Sequence, residues 1–162
     1  MKTEDIQINL KELERKKVLD CGCGTGNISI YLLNNVENLE LTLFDISVNS
    51  LKVFKERLRK NKNNNLPNLV LGDVLNLSSK FKKEYFDFII VAGVIHHTPQ
   101  PFKALDNLNY VFKKTGKMYI SAYNRNSFYF PEFYTFGQFF RFLYYHKMQK
   151  LLNFLSIYFG LY

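Results

Sequence analysis

Cysteine is almost missing. The 162-residue chain has two, Cys21 and Cys23, and a C-x-C pair in a tight loop sets its Cα atoms poorly for an unstrained disulfide. No disulfide framework is implied and reduced thiols are expected. A structural zinc takes about four ligands, and no second Cys or Cys/His pair at metal spacing completes such a set, so no metal is expected. The opening MKTEDIQINLKELERKK is charged and has no apolar stretch of the kind a signal peptide or N-terminal anchor needs. The C-terminal part holds no unbroken apolar run of about eighteen residues, which disfavours a spanning helix. A cytoplasmic protein is the expectation. Alanine is scarce beside Lys, Asn, Phe, Tyr and Ile, a bias that an AT-rich coding sequence produces. The net charge of +8 therefore argues only weakly for a nucleic-acid or anionic-membrane partner.

What is present suffices for one substantial core: 47% of the residues are hydrophobic, in a chain too short for two domains. From Lys17 onward short apolar strands alternate with helical stretches, the pattern of a parallel sheet covered by helices on both faces. Strands are expected at Val18 to Cys21, Leu39 to Asp45, Asn68 to Gly72, Phe86 to Ala92 and Lys117 to Tyr123. Helices are expected at Asn27 to Leu33, at Val48 to Arg59 with the stripe Leu51, Phe54 and Leu58, and at Pro101 to Phe112. In the third helix Phe102, Leu105, Leu108 and Phe112 share a face, and Gly116 is placed to end it. The polar run Lys60 to Asn65 reads as a surface loop.

The segment V-L-D-C-G-C-G-T-G sets Asp20, Gly22, Gly24 and Gly26 between a buried strand and a helix. Glycines there let the chain turn sharply and let a ligand approach the backbone. The spacing is G-x-G-x-G, with Asn27 where a dinucleotide fingerprint needs a small residue, which weighs against NAD or FAD. No G-K-[ST] follows, which excludes a P-loop. Asp45 ends the second strand about twenty residues on, where a carboxylate can accept hydrogen bonds from ribose hydroxyls; the alternative is a turn or cap residue before the next helix. Asp73, just past the third strand, falls at the carboxyl edge where such sheets bind ligands.

VLDCGCGTG, LFDIS, LVLGDVLNL and FDFIIVAGVIHHTPQPFKAL, in this order and spacing, resemble the successive motifs of class I S-adenosylmethionine-dependent methyltransferases. The resemblance covers Val18 to Ser121 and implies an α/β, Rossmann-like fold with S-adenosylmethionine as cofactor. It places Asp20, Gly22, Gly24 and Gly26 along the methionine part of the cofactor, Asp45 on the ribose and Ile46 beside the adenine. It also places Asp73 on the adenine amino group and the Val74 backbone on a ring nitrogen.

Methyl transfer from a sulfonium mainly asks the protein to align the acceptor and exclude water. His96 and His97, just past the fourth strand, are the candidates to take a proton, since histidine titrates near neutrality. V-I-H-H-T-P-Q-P resembles the L-E-H-V-P-D-P stretch of small-molecule methyltransferases, which puts His97 on the family histidine and His96 in place of the acid. His97 is thus the candidate catalytic residue, with a pocket-lining structural role as its alternative. On extended backbone the two imidazoles would point apart, which disfavours a shared metal. Ala92, Gly93 and Val94 stand where amine methyltransferases of nucleic acids and proteins carry N/D-P-P-Y/F. A small-molecule or lipid-like acceptor is therefore preferred, with RNA and a non-catalytic cofactor-binding fragment as alternatives.

Past Tyr123 the alternation stops, and sixteen of the last forty residues are Phe or Tyr. The expected organisation is a cofactor-binding core over residues 1–123 and a mainly helical aromatic extension over 124–162. The two strands with which family members finish the sheet are not legible there, so the sheet ends at five strands or the chain is part of a longer one; the latter is preferred. Phe and Tyr beside Lys and Arg also suit a peripheral membrane surface.

Overall fold

The computed structural model describes residues 9–60 and 66–122. They form β1 (Lys17–Cys21), α1 (Asn27–Asn35), β2 (Glu40–Asp45), α2 (Val48–Lys60), β3 (Asn68–Leu71), β4 (Phe86–Ala92), α3 (Pro101–Val111) and β5 (Phe112–Ser121), with short 3-10 turns at Leu10–Leu13, Val74–Ser79 and Ile95–His97. The strands make one sheet in the order β3-β2-β1-β4-β5, and each neighbouring pair is parallel. This is the doubly wound α/β arrangement expected from the alternation of apolar runs.

Strands covered on both faces must be apolar on both sides, and alternate side chains divide between two cores. Leu19, Cys21, Ile89 and Val91 pack on one face with Ala104, Leu108 and Val111 of α3. Val18, Leu41, Leu43 and Ile90 pack on the other with Leu32 and Leu33 of α1 and Phe54 of α2. Each such aliphatic or aromatic side chain contributes about 1.5–3 kcal/mol on burial, so the central strands β1 and β4, apolar toward both cores, anchor the fold. The stripe of α2 is as expected: Leu51 and Phe54 are buried and Leu58 packs beside them.

Two local expectations are corrected. The inward face of α3 is Ala104, Asn107, Leu108 and Val111, while Phe102 is 81% exposed. A small residue and a satisfied polar one let the helix lie close to its neighbours: the Asn107 amide nitrogen donates to the Leu75 and Lys103 carbonyls, and its oxygen accepts from the Ser78 N–H. Gly116 does not end α3, which stops at Val111 and runs straight into β5. Phe112 pairs with Phe86 and Lys117 with Phe88 across a register shift. At that irregularity a Cβ on Gly116 would lie 2.6 Å from the Asp87 carbonyl oxygen, so the glycine permits a close backbone approach.

Of the expected loop Lys60 to Asn65, Lys60 belongs to α2, and residues 61–65, like residues 123–162, lie outside the described residues. The aromatic extension, its helical character, its membrane-surface role and the last two strands of the sheet lie outside them too. Among the described residues no helix is long and apolar enough to cross a membrane.

Candidate functional site

From β1 the chain moves outward to β2 and β3, then returns to place β4 on the other side of β1. The strand order therefore reverses between β1 and β4, and such a switch point opens a crevice at the carboxyl ends of the strands. There lies a cleft of about 290 Å³ lined by Gly22, Asp45, Ile46, Asp73, Val74 and His97, six of the residues singled out from the sequence. Gly22 has φ +74, and a Cβ there would meet a Val94 methyl at 2.1 Å. The missing side chain thus lets the loop after β1 close against the segment after β4.

Asp45 is buried and serves as a double acceptor. Its Oδ2 takes the Gly24 N–H at 2.8 Å and its Oδ1 the Ser47 N–H at 2.8 Å. The turn-residue alternative therefore describes part of what Asp45 does, and each oxygen keeps a second lone pair for a ligand hydroxyl. Asp73 caps the turn Val74–Ser79, its Oδ1 accepting from the Leu75 N–H at 2.9 Å. That cap uses the Leu75 amide and not that of Val74, and Oδ2 takes no part in it. Ile46 is 69% exposed and gives the cleft an apolar side chain beside the two carboxylates that line it.

Asp20, Gly24 and Gly26 do not line the cleft. Asp20 is fully buried behind the loop, where it accepts a 2.5 Å hydrogen bond from the Ser29 hydroxyl of α1. Burial pushes its carboxyl up to about 6, against the lowering effect of the Ser29 bond, and the neighbouring Asp45 charge adds to the rise. Gly24 touches the site through its N–H on Asp45. Gly26 begins α1 as its N-cap, in left-handed conformation.

On the other side the cleft is walled by Gly93, Val94, His97, Thr98 and Pro99. His96 and His97 stand on the 3-10 turn Ile95–His97, not on extended backbone. Their rings consequently do not diverge but lie 4.1 Å apart between centroids. His97 is exposed at the cleft and His96 is partly buried. Burial, and then the adjacent His97, lowers the His96 pKa from its usual value. Among the described residues no group of three or more His, Cys, Asp or Glu is arranged to hold a metal ion.

Sequence reasoning missed Cys21, Phe44 and Gly72 as lining residues. The signal for them was available, since each sits at or just past the carboxyl end of a strand already located. Cys21 and Cys23 are free thiols, and burial pushes both above the ordinary thiol value. The remaining donor set suits a nucleoside: an apolar wall for a flat base, two carboxylates for hydroxyl and amino groups, and a glycine backbone at the cleft edge. The residues present fit the S-adenosylmethionine that the motifs imply, through Gly22, Asp45, Ile46, Asp73 and Val74.

A family model described as a methyltransferase domain matches residues 12–152. An uncharacterized protein of Methanocaldococcus jannaschii is 34% identical over 127 residues, 76% of this chain and 49% of that protein. The demethylmenaquinone methyltransferase of Staphylococcus haemolyticus is 37% identical over 101 residues, 62% of this chain and 40% of that enzyme. A Methanococcus maripaludis crystal structure, assigned as an S-adenosyl-L-methionine-dependent methyltransferase, superposes with a TM-score of 0.66 at 21% identity, over 96% of this chain and 74% of its own. That likeness concerns the fold. The chain spans half or less of the length of these two curated relatives.

Proposed function

This chain belongs to the methyltransferase-domain family, and from that premise we propose that it binds S-adenosylmethionine in the switch-point cleft and catalyses methyl transfer to a small-molecule or lipid-like acceptor. The observation that carries the reading is the side-by-side placement of Gly22, Asp45, Ile46 and Asp73 around one cleft. When bound, the donor supplies a methyl group activated by a positively charged sulfur. Asp45 holds the ribose hydroxyls, Ile46 covers one face of the base, and Asp73 with the Val74 backbone reads its polar edge. The Gly22 backbone borders the methionine moiety, and Asp20 supports the loop from behind. The wall of Gly93, Val94, Thr98 and Pro99 excludes water from the acceptor side, and His97 takes up a proton where the acceptor is a hydroxyl or an acidic carbon.

The acceptor class rests on two supports. Val94 leaves this wall without the polar signature of amine methyltransferases, and the similar Staphylococcus haemolyticus enzyme is a demethylmenaquinone methyltransferase. The donor-binding core, residues 1–123, and the aromatic extension, residues 124–162, form one functional unit in this reading, since the family match continues to residue 152. Calorimetric titration with S-adenosylhomocysteine, with NAD as control, tests the donor site. Micromolar binding of the first alone is expected, and a folded chain that ignores it overturns the proposal. Turnover on RNA but on no small hydroxylated or lipid-like acceptor would overturn the acceptor class alone.

A further inference from the structure

We propose that Arg57 is a positioning residue that holds the glycine loop in its binding conformation before any ligand arrives. The inference rests on the reading of that loop as the donor's seat. Arg57 lies in the last turn of α2. Its Nη1 donates to the Thr25 carbonyl at 2.6 Å, to the Asn27 side-chain oxygen at 2.7 Å and to the Thr25 hydroxyl at 3.3 Å. Thr25 and Asn27 flank Gly26, whose φ is +78. One turn earlier on the same helix Phe54 is fully buried, with a ring carbon 2.1 Å from where a Cβ on Gly26 would sit. Positions i and i+3 of a helix face the same way, so α2 grips residues 25–27 by an aromatic contact and a charged hydrogen bond together. At the other end of the loop Asp45 holds the Gly24 N–H. Residues 45–57 thus supply three independent attachments to residues 24–27.

The arrangement matters because glycine-rich backbone loses the most freedom on ordering. Fixing each residue costs backbone entropy, and a ligand that must order its own loop binds more weakly for it. All three acceptors are met by one nitrogen, Nη1, so a lysine ammonium that reaches the same point can replace part of the set, whereas alanine replaces none.

The test compares wild type, Arg57→Ala, Arg57→Lys and Arg59→Ala in the full chain, by amide hydrogen exchange without ligand and by calorimetry with S-adenosylhomocysteine. Arg59 is exposed in the same turn and controls for the lost charge. The Gly24 and Gly26 amides are both hydrogen-bonded and report on the loop. Arg57→Ala should speed their exchange about tenfold, leave the amides of β1 and β4 unchanged, and weaken ligand binding about threefold to tenfold. Arg57→Lys should recover part of both losses, and Arg59→Ala should move neither by more than about twofold. Unchanged loop exchange overturns the proposal, as does acceleration spread equally through β1 and β4, which would mark a general loss of stability. Wild type that fails to bind the ligand would remove the donor reading, while the exchange comparison would still decide what Arg57 does.

Discussion

The two sides of the cleft are held in opposite ways. On the proposed donor side the attachments run between distant parts of the chain: Gly24 to Asp45, Arg57 to Thr25 and Asn27, and Asn107 of α3 to the turn that begins at Val74. On the proposed acceptor side Gly93 is tied to β5 through its N–H on the Ser121 carbonyl, and the 3-10 turn that follows is built on local bonds. His97 N–H donates to the Val94 carbonyl, and both the N–H and the hydroxyl of Thr98 donate to the Ile95 carbonyl. Long-range bonds make the donor geometry a property of the whole fold, so damage there is felt as lost stability as well as lost binding. The exposed positions among residues 94–99 can vary at little cost to the sheet, whereas Ile95 packs in its core, which is how one scaffold can serve different acceptors.

The sharpest way to break this contrast is Gly26→Ala. The new methyl would meet the buried Phe54 ring at 2.1 Å from a left-handed backbone, combining overpacking with backbone strain. A loss of about 3–4 kcal/mol in denaturant unfolding is expected. A loss below about 1 kcal/mol would mean that the loop and α2 can separate cheaply, and the donor side would then be no more rigid than the acceptor side.

His97→Ala should act in the complementary way. If His97 takes the acceptor's proton, turnover should fall about a hundredfold, while S-adenosylhomocysteine affinity stays within about twofold and the unfolding midpoint does not move. Equal losses in turnover and affinity would make His97 a structural element of the cleft. The readout is single-turnover kinetics beside calorimetry.

Much of this contrast was legible in the residues, because the donor side is written in backbone requirements. The glycines of V-L-D-C-G-C-G-T-G, and carboxylates at the ends of strands, follow from the alternation of short apolar runs, and so does the parallel sheet. What resisted was any feature set by three-dimensional closeness. Asp20 lies on a strand with apolar neighbours, and only its pairing with Ser29 of α1 shows that it faces a helix and not the cleft. The face of α3 was misread because large side chains dominate a periodicity count, whereas the helix buries Ala104 and a bonded Asn107 and leaves Phe102 in solvent. The turn that brings His96 and His97 together is fixed by hydrogen bonds between residues three apart, in a stretch with no helical periodicity long enough to detect.

Asp45→Ala separates ligand contact from loop support. Removing the carboxylate frees the Gly24 and Ser47 amides and takes away the proposed ribose contact. Affinity for S-adenosylhomocysteine should drop about tenfold to thirtyfold. Affinity for adenine alone, which does not reach the ribose site, should fall less, by the share that comes from a loosened loop. Identical losses for both ligands would assign the whole effect to the loop and leave Asp45 without a direct contact.

The smallest expected effect, and the one of opposite sign, belongs to Asp20→Asn. A carboxyl held at about 6 in the folded chain, against an ordinary 3.8, binds its proton more tightly folded than unfolded. Stability from this group is then fully present below pH 3.8 and lost as the pH rises through about 6. At neutral pH the charged form carries up to roughly 3 kcal/mol against it. Asparagine removes that penalty and can still accept from Ser29, but it buries an amide N–H that the site does not pair. The net gain at pH 8 should be about 1 kcal/mol, and it should shrink and reverse as the pH falls below about 5. A difference between variant and wild type that stays flat from pH 4 to pH 8 would show that burial does not hold this carboxyl up. A rising difference would establish that the donor loop is backed by a charge the fold tolerates at a cost.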